Sequence, residues 1–159
     1  MNVNDIKLIK DVLQLSVTEV VQTLTDLTPR TEPEIPIRPA SQVLEAITFT
    51  KGFTGVFFIR VDHELAKTFA TKILKMPCNQ VDDDVVDTVG EILNIIVGKF
   101  KAVLTSHNYE LFDFSPPIKE VDQVKYQKLS ENGVERVLLG FGINQDRFGV
   151  EVHFATSVR

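Results

Sequence analysis

From Asp82 to Thr105 the chain carries apolar residues over so much of a helical circumference that only a narrow strip is left for water. Val85, Val86, Val89, Ile92, Leu93, Ile95, Ile96, Val97, Phe100, Val103 and Leu104 all fit one long helix. It begins after Asn79 with the acidic run Asp82-Asp83-Asp84 in its first turn, where carboxylates complement the helix dipole. Such a helix is not stable alone in water, and most of it must be buried against a sheet and another helix. At about 100° per residue, the positions left over, Asp87, Glu91, Asn94, Gly98, Lys101 and Thr105, fall within a stripe roughly 80° wide.

The rest of the chain supplies the layers that the helix needs. Between Asp5 and Leu27, Ile6, Ile9, Val12, Leu13, Val17, Val20, Val21 and Leu24 recur at the spacing of a second long amphipathic helix. Pro33, Pro36 and Pro39 then predict an extended connector or a sheet edge. Val43 to Phe49 and Gly55 to Val61 read as strands joined by the hairpin loop Thr50-Lys51-Gly52-Phe53-Thr54. Asp62 is placed to cap a helix that carries Leu65, Phe69, Ile73 and Leu74 on one side and stops at Pro77. After Thr105 the period changes to two. Runs around Tyr109 to Phe114, Val121 to Leu129, Val134 to Ile143 and Arg147 to Ala155 predict a β-meander. The expected fold is α+β, two long helices packed on a largely antiparallel sheet, in one domain over residues 1–159 with no linker dividing it.

Composition narrows the function classes. The 159 residues are 43% hydrophobic and 25% charged, as in a globular chain with a sizeable core. A net charge of −5 argues against a partner held through a phosphate backbone, so nucleic acid is not expected. No apolar run approaches the roughly 20 residues that span a bilayer, and membrane insertion is not expected either. The start, Met1-Asn2-Val3-Asn4-Asp5, has neither the basic region nor the apolar core of a secretory signal, so the expected location is the cytoplasm. Cys78, the single cysteine, suits a reducing compartment and reads as a small residue at a helix end.

Most catalytic signatures are missing. His63-Glu64 begins like a zinc-protease helix, but Lys67 occupies the position of the second histidine. His63, His107 and His153 are scattered without ligand spacing, and Ser106 beside His107 does not make a triad. No metal site is expected; the Asp82-Asp83-Asp84 run reads as helix-terminus charge.

The stripe on the central helix is different. Glu91 and Asn94, three residues apart, stand side by side and can present a charge and a carboxamide to one partner. Gly98 costs helix stability, about 1 kcal/mol relative to alanine, and asks for a reason. Either something approaches the backbone closely beside Asn94, or the stripe is plain solvated surface and Gly98 lets a neighbouring helix pack. Spacing leaves both open.

At this point the residues resemble a known family. Asp87-Thr88-Val89-Gly90-Glu91-Ile92-Leu93-Asn94-Ile95-Ile96-Val97-Gly98 is similar to the Asp/Ser-x-x-x-Glu-x-x-Asn-x-x-x-Gly pattern of the CheC, CheX and FliY phosphatases of bacterial chemotaxis. Lys51-Gly52-Phe53-Thr54-Gly55-Val56 resembles the hairpin that precedes the first internal helix in CheX-like chains. Tyr109 to Pro117 resembles the segment that follows the motif helix and ends in Ser-x-Pro. The likeness runs in order over about residues 5 to 156 and implies a CheC/CheX-like fold.

The resemblance implies a hydrolase that removes the phosphoryl group from the aspartate of a CheY-like receiver domain. Asn94 would orient the attacking water and Glu91 would pair with the receiver's active-site lysine, with Asp87, Gly98 and Lys101 in partner docking. The chain needs no cofactor of its own on this reading, the Mg²⁺ belonging to the receiver. On the first long helix the nearest counterpart is Glu19-Val20-Val21-Gln22, with glutamine for asparagine and no glycine four residues on, so one active site is expected. A homodimer joined by strand pairing is also implied, and the length leaves no room for the extra segments of FliY-like motor proteins. The competing reading is a non-catalytic CheX-like binding module that docks a receiver or other signalling partner.

Overall fold

A computed structural model describes residues 3–50, 53–109, 113–133 and 135–156. Lys51 and Gly52 of the expected hairpin loop, Glu110 to Phe112 of the expected strand after the motif helix, and Val134 lie outside the described residues. Among the described residues four helices, α1 (Val3–Thr25), α2 (His63–Leu74), α3 (Asp83–Ser106) and α4 (Gln123–Ser130), pack on a five-stranded sheet. The strands are β1 (Arg30–Glu32), β2 (Gln42–Phe49), β3 (Phe53–Asp62), β4 (Glu135–Ile143) and β5 (Asp146–Thr156). Their order across the sheet is β1-β4-β5-β3-β2, and every neighbouring pair is antiparallel.

Period-two alternation sorts the strands onto two faces. Val43, Ile47, Phe57, Ile59, Val61, Phe148, Val150 and Val152 point to the face covered by α1, α2 and α3 and form the main core with them. The two long helices run antiparallel: the Tyr109 hydroxyl beyond the end of α3 bonds Asp5 near the start of α1, and Lys99 pairs with Glu19. On the second face, Leu44, Ala46, Val56 and Phe58 join Val121 in a smaller cluster, with Tyr126 and Leu129 of α4 packed against it. Beside that cluster lies a buried ionic group, in which Arg60 reaches Glu151 at 3.0 Å and His153 reaches Glu151 at 3.4 Å. Burial pushes the Glu151 carboxyl up, but His153 and Arg60 outweigh it and hold the group below its ordinary value.

The expected meander is corrected in two places. Val121 to Leu129 is not a strand: Asp122 accepts from the Lys125 amide at 2.7 Å and starts α4, whose Tyr126 and Leu129, three residues apart, share the face laid on the sheet. Tyr109, Asp113 and Phe114 lie outside any strand. The chain from Ser115 to Val121 runs instead along the outer edge of β2, bonding Thr48, Ala46 and Leu44. Only β4 and β5 remain as the predicted hairpin, turned by Asn144 at φ 55°.

Two further details differ. Asp62 stands at the N-cap of α2 but makes no capping bond, because its Oδ2 accepts from the Arg147 amide at 3.0 Å and ties α2 to β5. Helix α2 ends at Leu74, with Lys75 in the left-handed region, and Leu74 is exposed rather than in the core. The proline-rich stretch matches its reading, with the three-residue edge strand β1 stopping just before Pro33. No helix among the described residues is long and apolar enough to cross a membrane.

Candidate active site

Helix α3 is fixed at its start and along its length. The Asp82 side chain accepts from the Val85 amide at 3.1 Å, and Asp83 and Asp84 occupy the first turn, so the acidic run serves the helix terminus. Val89, Ile92, Leu93, Ile96 and Phe100 are all buried, and Phe100 meets Phe57 edge-on at 5.2 Å. These contacts pin the rotation of the helix about its axis, and the polar stripe consequently faces outward. Asp87, Glu91, Asn94, Gly98 and Thr105 are exposed, and Lys101 is half-buried.

The six positions are not equivalent. Among the described residues Glu91 and Asn94 have no side-chain hydrogen bond or ion pair, so the pair stands ready for a group from outside. Asp87 is bridged to Lys119, and Lys101 lies over the Phe114 ring at 5.4 Å from its centroid. A Cβ built on Gly98 would meet nothing within 4 Å. The packing explanation for this glycine therefore fails, and the surface beside Asn94 is open to close approach.

Gly90, on the inner side of the same helix, has the opposite surroundings. A Cβ there would lie 2.7 Å from Glu45 Oε1, so only glycine leaves room for the Glu45 side chain, which β2 directs under α3. Glu45 is fully buried, and among the described residues its carboxyl group has the Gly90 backbone beside it and no side-chain hydrogen-bond partner. Burial pushes it up to about 8, against the pull of the Lys119 ammonium, with the Asp87 carboxylate pushing the same way. Sequence reasoning missed Glu45 and Lys119. The available signal was a carboxylate at an inward position of the otherwise apolar run Val43 to Phe49.

The other candidates disperse. Glu19 is paired with Lys99, and Gln22 is exposed on α1, so the partial motif copy is half engaged in holding the two long helices together. His63 begins α2, His107 is exposed at the end of α3, and His153 is buried beside Glu151. Among the described residues no group of three or more His, Cys, Asp or Glu is placed to hold a metal ion.

Residues 43–140, more than half of the chain, match the family model for the chemotaxis phosphatase CheX. The chain belongs to the CheX family. Solved structures agree in fold. CheX from Vibrio vulnificus superposes with a TM-score of 0.76 at 20% identity, covering 92% of this chain and 96% of that one. A CheC-like protein from Shewanella sp. PV-4 gives 0.73 at 20% identity over 98% and 99% of the two chains. The CheX–CheY–BeF3–Mg²⁺ complex from Borrelia burgdorferi gives 0.73 at 20% identity over 91% and 96%. Among curated proteins none matches the chain. The matched residues take in β2, β3, α2, the motif helix α3, α4 and the first part of β4.

Proposed function

We propose that this CheX-family chain hydrolyses the aspartyl phosphate of a CheY-like receiver domain, with Asn94 orienting the attacking water and Glu91 pairing with the receiver's active-site lysine. The observation that carries the reading is the outward pair of Glu91 and Asn94, without a side-chain partner among the described residues, beside an open glycine face on a helix whose opposite side is buried in the core. A structure of a relative with CheY, BeF3 and Mg²⁺ supports the choice of partner.

The chemistry asks little of the enzyme chain. An acyl phosphate is already activated: water attacks phosphorus in line, the P–O bond to the aspartate breaks, and the carboxylate leaves as inorganic phosphate forms. What remains is to hold the water in position, and a neutral carboxamide does this by donating and accepting hydrogen bonds without becoming a base. Glu91, one turn away, adds a charge that a receiver lysine can answer. Asp87 and Lys101 flank the pair, each already steadied by a neighbour, and Gly98 leaves the backbone approachable. The Mg²⁺ that the reaction uses is the receiver's.

The reading includes a homodimer. The outer edge of β4 is paired with β1 only at Gly140 to Gly142, so among the described residues Glu135 to Leu139 present an unpaired strand edge, on which a second copy could extend the sheet.

Phosphate release from a panel of phosphorylated receivers tests the reading. Asn94→Ala should abolish turnover while leaving binding to a phosphoryl-mimic-loaded receiver largely intact, and Glu91→Lys should weaken that binding. Wild-type rates in Asn94→Ala on every receiver that the parent dephosphorylates would refute it.

A further inference from the structure

Beside the stripe, α3 shares a groove of about 330 Å³ with the last turns of α1 and α2. Its apolar side is lined by Leu24, Ile73, Leu74, Ile92 and Ile95. Leu74 and Ile95 are 41% and 36% exposed, a costly position for large aliphatic side chains that fold no further surface over themselves. Lys75 ends α2 in the left-handed conformation just after Leu74, with exposed Met76 beyond it. Three carboxylates, Asp84, Asp87 and Glu91, line the α3 side, each about one turn from the next. Lys119 answers Asp87, whereas Asp84 and Glu91 have no ion pair among the described residues.

We infer that this groove is the docking site for the receiver, and that it accepts a receiver segment carrying an apolar side chain flanked by lysine or arginine. The inference rests on the receiver-phosphatase reading for the identity of the partner. Two observations select this occupant. The groove and the Glu91/Asn94 pair share Glu91, and Ile95 directly follows Asn94, so a segment seated in the groove is held within one helical turn of the carboxamide. The acidic rim selects against a second copy of this chain, because an isologous contact would set Asp84 and Glu91 against their own equivalents. An apolar contact flanked by opposite charges supplies affinity and orientation at a distance from the reacting atoms, leaving Asn94 free for the water.

The test measures binding of the full chain to BeF3-loaded receivers in Mg²⁺, together with turnover of the phosphorylated forms. Leu74→Lys and Ile95→Lys should each raise Kd at least about tenfold, and for Leu74→Lys the loss should fall on KM rather than on kcat. Val124→Lys, at a site 73% exposed on α4 beyond the opposite face of the sheet, should bind as the parent does. Wild-type Kd values in both groove variants overturn the inference. So does a change of oligomeric state in those variants with unaltered Kd, which assigns the groove to a second copy. A parent that binds receivers without releasing phosphate defeats the phosphatase reading alone, since the Kd series still decides the groove. A parent that binds none of the loaded receivers defeats both.

Discussion

Replacing Glu45 by glutamine removes one titrating group from beneath the motif helix and leaves its shape in place. The carboxyl is pushed up from 4.5 to about 8, first by burial and then by Asp87, with Lys119 opposing. In the unfolded chain the same group ionises near its ordinary value. Across the interval between the two values the folded protein holds a proton that the unfolded chain has released, so stability declines as pH rises and levels off above about 8. From pH 5 to about pH 8 this amounts to at most roughly 4 kcal/mol, at about 1.4 kcal/mol per pH unit. Relaxation around the new charge and the nearby Lys119 ammonium reduce the figure to on the order of 2 kcal/mol. Urea unfolding of the parent and of Glu45→Gln at pH 5 and pH 9 isolates the contribution, because every other group titrates in both proteins. The parent should lose about 2 kcal/mol more than the variant over that span. Parallel pH–stability curves would refute the reasoning from burial and assign Glu45 an ordinary carboxyl.

In the core of the same helix, Ile92→Ala and Phe100→Ala should cost about 2 to 5 kcal/mol by cavity formation, whereas Asn94→Ala should leave the melting temperature nearly unchanged. Gly98→Ala should raise the melting temperature, since the added methyl meets only open space and helix propensity favours it by up to about 1 kcal/mol, yet lower kcat/KM on a phosphorylated receiver. Unchanged turnover in that variant would show that no partner approaches the backbone there. Light scattering at protein concentrations on the order of tens of micromolar should report a dimer; a monomeric parent would refute the strand-pairing reading.

The parts of the fold that could be read in the sequence are those in which local pattern and tertiary packing ask for the same thing. In α1 and α3 most of the apolar positions at three-and-four spacing are buried or partly buried, Ile95 being exposed instead, and β2, β3, β4 and β5 fall where alternating runs and turn residues put them. The failure at Val121 to Leu129 has a local cause. In Val121-Asp122-Gln123-Val124-Lys125-Tyr126, alternation satisfies a strand pattern, but Asp122 is also an N-cap, and a short helix that needs only Tyr126 and Leu129 on the sheet has too weak a period to register. For the site, helical geometry was enough to gather Asp87, Glu91, Asn94, Gly98, Lys101 and Thr105 on one side. What periodicity does not convey is long-range pairing. Lys119 bridging Asp87, Phe114 under Lys101 and Glu45 under Gly90 join residues on segments whose paths only the fold determines. The groove escaped for the same reason: Leu74 and Ile95 each look like core residues in their own helices, and only the end of α2 at Lys75 and the rotation of α3 leave them uncovered.

An exposed pair of side chains is usually the least ordered part of a helix, and a role in catalysis would require the reverse. The resolution lies in how the stability of α3 is distributed. Its inner residues are packed on the sheet and α1, its start is capped by Asp82, and its neighbours Lys99 and Asp87 are tied to Glu19 and Lys119. The backbone under Glu91 and Asn94 is therefore held by interactions that neither residue makes. Their mutual position follows from helix geometry alone, and among the described residues their side chains have no competing bonds. On the function proposed above, a partner that supplies the phosphoryl group, the metal and the leaving carboxylate would need from this chain only a rigid edge bearing a carboxamide and a carboxylate one turn apart. Burial on the inner side of α3 provides the rigidity without drawing on the surface that must stay open.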